Sequence, residues 1–319
     1  MECAGNKQQR DNRLRADNEK QSESRVTFNA DSAYNFIAKQ VDFGPRVPGN
    51  LSHASCAEWL TEQLGKTTDT VFIQTASAVT FNGDNIPIKN IMGSLNPEHN
   101  KRILFLAHYD TRPWADAETD DSKIFTPIAG ANDGASGVGI LLELSRILKV
   151  NGYSGGVDFL FVDAEDYGES QYIRTKEENN VDSWCLGTQY WVENQPEHIS
   201  PPVFAILLDM VGGKNARFHR EYFSHVYAGD LVDYVWNIAG KEGFGNVFIN
   251  EPGNPITDDH FYLLRKGIPA IDIIENKNPM TGSFNQTWHT LDDNMDNIDK
   301  NTIHAVGVTL QKLIETINQ

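Results

Sequence analysis

Arg102-Ile103-Leu104-Phe105-Leu106-Ala107 is followed at once by His108-Tyr109-Asp110. A short apolar run of this kind suits a strand buried on both faces. The abrupt change to ligating side chains at its C-terminal end sets the reading of everything around it. The same pattern returns twice. Residues 157–162 (VDFLFV) run into Asp163-Ala164-Glu165-Asp166, and residues 203–208 (VFAILL) run into Asp209. Helical spacing predicts helices over 136–150, 186–193, 230–242 and 301–317, and a last strand over 270–274. Strands alternating with helices in this way build a largely parallel sheet covered on both faces.

Upstream, Asp31 is read as the N-cap of a helix with Ala33, Phe36, Ile37, Gln40 and Val41 at helical spacing, ended by Gly44-Pro45. Ser52 is read as the cap of a second helix through Leu64, closed by Gly65. Segments 70–78 and 85–95 read as strands, and Asn82-Gly83 between them is a hairpin turn signal. No composition break or internal repeat divides the chain. The expected fold is therefore α/β: a three-layer α/β/α domain with a central mixed, mostly parallel sheet over 27–319, preceded by a polar, disordered tether over 1–26.

The chain has 319 residues and a formal net charge of −17, the wrong sign for a nucleic-acid binder or a protein held on an anionic membrane surface. No run approaches the roughly 18 apolar residues of a spanning helix. Three cysteines, Cys3, Cys56 and Cys185, make neither a disulfide framework nor a Cys-x-x-Cys pattern. Cys56 and Cys185 are read as buried thiols or as a bridge. Cys3 stands where a bacterial lipoprotein is acylated, and an accidental cysteine in a polar tail is the plain alternative.

In open parallel sheets, ligands sit in the crevice outside the carboxyl ends of the strands. His108, Asp163, Glu165, Asp166 and Asp209 fall at that edge. They are joined by Asp133, in the Gly130-Ala131-Asn132-Asp133-Gly134 loop before a helix, and by His289 in Trp288-His289-Thr290. Any one such Asp also serves as a turn former or helix cap, and a lone His also serves as a hydrogen-bonded core residue. Together, imidazoles and carboxylates at one edge need a cation or shared protons to offset their repulsion and desolvation. Zinc takes both donor types and in catalytic sites keeps a position open beyond three protein ligands.

These strings, with Gly130 to Gly137, Leu207-Leu208-Asp209 and Asp258-Asp259-His260, resemble the zinc aminopeptidase superfamily. Within it they most resemble the bacterial glutaminyl cyclases, from about Phe28 to Ile317. The resemblance implies one zinc ion bound by Asp133, Asp166 and His289, with Glu165 as the acid/base. It implies Asp209 and Asp258 as further carboxylates of the catalytic site, and Trp288 and Phe284 as an aromatic wall for the substrate. Many relatives carry Glu where Asp166 stands, and the animal enzymes carry a histidine where this chain has Asp272. The implied reaction converts the N-terminal glutamine of a peptide or protein to pyroglutamate and releases ammonia. Zinc polarises the side-chain carbonyl, and Glu165 moves the proton from the attacking α-amine to the departing ammonia.

A two-zinc aminopeptidase is the alternative, because His108 and Asp209 could complete a second metal site with Asp133, Asp166 and His289. Asp258-Asp259-His260 and the Trp before His289 favour the cyclase. A metal-free binding module on this scaffold would show a broken ligand position, and none is broken. Trp184 is placed at the pocket mouth, with core packing at a helix start as the other reading. Asp116, Glu118, Asp120 and Asp121 lack the spacing of a calcium loop and are read as a solvated surface loop. The resemblance, with Cys3, implies a periplasmic or envelope address with a lipid anchor. The absence of a heptad or repeat leaves a monomer as the expected state.

Overall fold

The computed structural model of the chain describes residues 25–173, 181–196 and 199–317. The tether and Cys3 lie outside them, save that Val26 is already tied down by two hydrogen bonds with the Asn151 side chain. In chain order the main elements are α1 (Ala30–Asp42), α2 (Leu51–Thr67), β1 (Thr70–Val79), β2 (Asn85–Leu95), β3 (Arg102–His108), α3 (Ala135–Val150), β4 (Gly156–Val162) and α4 (Leu186–Glu193). There follow β5 (Pro202–Leu208), β6 (Phe218–Arg220), α5 (Tyr222–Tyr227), α6 (Gly229–Lys241), β7 (Phe248–Pro252), α7 (Asp259–Arg265), β8 (Ala270–Ile273) and α8 (Lys300–Ile317).

Among the described residues six strands form one mixed sheet in the order β1-β2-β4-β3-β5-β8. The β1–β2 hairpin is antiparallel and pairs antiparallel with β4, while β4, β3, β5 and β8 run parallel. Strand alternation divides the core in two. Phe105, Phe159, Phe161, Ile206, Leu208 and Ile271 face the larger layer, packed with α1, α2, α3, α6 and α8. Leu104, Leu106, Leu160, Val162, Ala205 and Leu207 face Trp191 of α4 and Leu263 of α7 on the other side. This is the expected three-layer arrangement.

Helix α3 is buried along nearly its whole length, which explains a sequence apolar outside the short stripe of Glu143, Arg146 and Lys149. Two glycines let it sit that deep. A Cβ at Gly137 would fall 2.2 Å from the Leu208 carbonyl oxygen, and one at Gly139 would fall 2.9 Å from the Ala33 carbonyl oxygen. Strand-end loops and the start of α3 are thereby held against one another at the edge where the polar motifs lie.

Local readings need correction at three points. The cap of α1 is Asn29, whose side chain accepts from the backbone of Asp31 and Ser32, so Asp31 is inside the helix. Asn50, not Ser52, caps α2 by accepting from His53 N. Helix α2 runs past Gly65 to Thr67 and stops where the Thr68 hydroxyl and amide both turn back to the Leu64 carbonyl. The β6–β7 ribbon and helices α5 and α7 are additional to the elements read from the sequence. Among the described residues no helix is long and apolar enough to cross a membrane.

Candidate active site

Parallel β3, β4, β5 and β8 all end at one edge, and the loops leaving that edge converge. Asp133 comes from the turn before α3, Glu165 and Asp166 from the loop after β4, Asp209 from the end of β5, Asp258 from the N-terminus of α7, and His289 from the loop before α8. Ala164, Cys185, Met210 and His289 all have positive φ, so the non-glycine backbone is bent into the left-handed region at four points around this edge.

Asp133, Asp166 and His289 form a buried cluster whose donor atoms all lie within 4.8 Å of one another. His289 Nε2 is 3.1 Å from Asp166 Oδ1 and 3.7 Å from Asp133 Oδ2. The second Asp166 oxygen is buried without a hydrogen-bond partner. Burial and the neighbouring Asp166 push the Asp133 carboxyl up to about 7. An orphaned carboxylate oxygen, a second carboxyl whose anion is disfavoured by its surroundings and an imidazole aimed at both are what a divalent cation would relieve. Three N and O donors fit zinc with an open position.

Several residues outside the sequence-derived set position this cluster. Asp116 accepts from the other side of the His289 ring, with Oδ1 3.1 Å from Nδ1, and pairs with Arg112. It is therefore not part of a solvated loop. Against the cost of burial, Arg112 and His289 hold its carboxyl below the ordinary carboxylate range. A carboxylate on the far ring nitrogen fixes which nitrogen faces a metal. Asp116→Asn is expected to weaken zinc affinity about 10–100-fold, as measured by competition with a chromophoric chelator; an unchanged affinity would reduce Asp116 to a loop brace.

Asp110 accepts from Glu165 N and Asp166 N, and Asp293 accepts from Asn132 N and Asp133 N. Arg46, fully buried, donates to the carbonyls of Tyr109, Ala129 and Gly130 and so braces the Asp133 turn. Asp163 turns away from the cluster to His53 Nε2 at 2.8 Å and to Lys89 N.

A second buried cluster shares Asp133. His108 Nε2 lies 3.0 Å from Asp133 Oδ1 and 3.2 Å from Asp209 Oδ1. Both clusters open toward a cavity of about 300 Å³ whose walls include Glu165, Asp258, Trp184, Phe284 and Trp288. This is the low end of the range for small-molecule sites, about 300–1,000 Å³. Trp288 lies against Phe284 at a ring separation of 4.7 Å and stacks on His289 at 3.7 Å. Trp184, parallel to His289 at 6.3 Å, lies at the cavity and under the Arg112 guanidinium. All nine residues assigned to the site in the sequence thus line one cavity. Glu165 is partly buried; burial and Asp166 push its carboxyl well above the ordinary value, and burial and Asp209 push Asp258 up to about 6. A raised proton affinity is what a carboxyl needs to take a proton from an amine and pass it on. Cys56 and Cys185 are both free and buried, so there is no bridge between them.

Comparison with known proteins identifies the family and the fold. Residues 90–314 match the model of peptidase family M28. A glutaminyl cyclase from Bacteroides thetaiotaomicron, solved with N-acetylhistamine, is 46% identical, covers 91% of this chain and 99% of its own, and superposes with a TM-score of 0.86. A zinc-dependent exopeptidase from Parabacteroides distasonis is 44% identical over 91% of this chain and 98% of its own, with a TM-score of 0.87. Glutaminyl-peptide cyclotransferase of Bothrops jararaca is 24% identical over 255 residues, which is 70% of this chain and 64% of that protein's length. The chain belongs to peptidase family M28, alongside glutaminyl cyclases of known structure.

Proposed function

We propose that the protein cyclises N-terminal glutaminyl residues of peptides and proteins to pyroglutamate, releasing ammonia, with zinc held by Asp133, Asp166 and His289. The observation that carries this is a single small cavity lined together by that cluster, by Glu165 with its raised carboxyl, and by Trp184, Phe284 and Trp288. A metal at the cluster would supply Lewis-acid polarisation of the side-chain carbonyl. Glu165 takes a proton from the α-amine as its nitrogen bonds to the side-chain amide carbon. The carbon–nitrogen bond to the leaving group then breaks, and Glu165 returns the proton to the departing ammonia. Asp258 and Asp209 face the substrate's amino end and orient it by hydrogen bonding. Trp288, Phe284 and Trp184 hold the side chain folded back and exclude water. That is the main requirement when nucleophile and electrophile belong to one residue.

One specific observation favours a second reading. The His108–Asp133–Asp209 cluster could hold a second metal, which would make the site that of a two-zinc aminopeptidase. Mass spectrometry of a synthetic peptide beginning with glutamine separates the two. Loss of one ammonia from the intact peptide, abolished by a chelator and restored by zinc, is the expected result. Loss of the whole first residue would establish the peptidase and make His108 and Asp209 ligands.

A further inference from the structure

Cys185 stands apart from the reaction derived above and yet touches its central residue. It precedes α4 in a left-handed conformation, φ 54 and ψ 34, and its amide donates to the Glu165 carbonyl at 2.9 Å. That backbone turns the fully buried thiol onto the catalytic carboxyl, with Sγ 3.2 Å from Glu165 Oε1. A third acidic group meets them. Asp258 is 3% exposed, and its Oδ2 has no hydrogen-bond partner. One donor atom from each of Glu165, Cys185 and Asp258 lies within 4.8 Å of the other two.

We propose that Glu165, Cys185 and Asp258 form a site for a thiophilic divalent cation, Zn²⁺ in excess or Cd²⁺, distinct from the Asp133–Asp166–His289 cluster, and that filling it stops turnover. Sulfur and carboxylate ligands on a zinc-like ion sit about 2.0–2.3 Å from the metal, hence about 3.3–3.8 Å apart when tetrahedral. The three side chains reach that spacing by movements of the order of 1 Å. Binding releases the thiol proton to solvent as the sulfur–metal bond forms, and a water from the cavity fills the fourth position. Glu165 and Asp258 line the cavity, so a hydrated cation reaches the site from the substrate side. Once it is ligated, the Glu165 carboxylate no longer accepts a proton from the amine. Soft thiolate gives the site its preference for Cd²⁺ and Zn²⁺ over Mg²⁺ and Ca²⁺, which favour all-oxygen ligands.

The inhibitory part rests on Glu165 as the base, whereas the binding part does not, and two readouts keep them apart. Zinc-loaded enzyme, with Cys3→Ser in every variant to remove the tail thiol, is titrated with Cd²⁺. Glutamine cyclisation, the ultraviolet sulfur-to-cadmium charge-transfer band and retained zinc are followed together. The expected result is a band that grows with inhibition while zinc stays bound. In Cys185→Ser, which keeps a donor to Glu165, the band is expected to vanish and the half-inhibiting concentration to rise about tenfold or more. Inhibition equal in both proteins, or inhibition that tracks zinc release, would overturn the proposal. A Cys185-dependent band with undiminished turnover would retain the cation site and refute its inhibitory effect, and with it the role of Glu165. Cyclisation absent before any Cd²⁺ is added would count against the proposed reaction alone, since the band still reports the site.

Discussion

Glu165→Gln is expected to lower kcat for ammonia release by about 10²–10⁴-fold, or about 3–5 kcal/mol of transition-state stabilisation, with KM and bound zinc little changed. The substitution keeps the shape of the side chain and an oxygen that can accept the Cys185 thiol. It removes only the ability to take a proton. Because burial and Asp166 already penalise the charged carboxyl, replacing it with a neutral amide does not lower Tm at neutral pH. The acid/base role thus predicts a steep loss in rate without a loss in stability, which steady-state kinetics and a thermal scan on the same preparation measure together. A fall below tenfold would move the proton transfer to another group, such as Asp258, a raised carboxyl with an oxygen within 4.8 Å of Glu165.

Much of this site is legible in the chain because strand-end chemistry is local. A fully buried strand such as β3 or β4 needs an unbroken apolar run, and the first polar residues after it must lie at the sheet edge. His108, Glu165, Asp166 and Asp209 are found that way, and their shared edge follows once the strands run parallel. The supporting carboxylates are harder to see. Asp116 sits in an acidic stretch that reads as solvated, and only the folded path of the loop brings it to the far side of the His289 ring. Asp293 resembles any loop aspartate until its two oxygens meet the amides of Asn132 and Asp133. The short helix α7 hides in the same way. Asp258-Asp259-His260 is visible as a motif, but its seven-residue helix is too short for periodicity to announce. The cap readings err by two residues because Asn29 and Asp31, or Asn50 and Ser52, are equally capable chemically. In the folded chain it is the Asn29 and Asn50 side chains that accept from the first-turn amides, and each helix begins there.

At the opposite edge of the sheet, Arg102→Met is expected to destabilise the protein by about 3–5 kcal/mol while leaving the rate at 25 °C near that of the native enzyme. Arg102 opens β3 with its guanidinium fully buried. It forms a two-point pair with Asp158 of β4, at 2.7 Å on each oxygen, and donates further to the carbonyls of Leu95, Asn96 and Val157. One side chain thereby joins β3, β4 and the end of β2, where the parallel and antiparallel parts of the sheet meet. Methionine fills much of the volume, but it strands the Asp158 carboxylate in the interior with the Ser94 hydroxyl as its remaining side-chain donor. The loss should appear as a lower urea midpoint with an unchanged slope. Asp158→Asn leaves the guanidinium buried without its anion and should cost a comparable amount. In the double variant the two losses should fall well short of adding, because each single change already breaks the same pair. Since the pair lies at the N-terminal ends of β3 and β4, a strand length away from His108 and Glu165, kcat measured below the unfolding transition should survive. A large drop in kcat for Arg102→Met at 25 °C would mean instead that strand register set at this edge is transmitted to the carboxylates at the other.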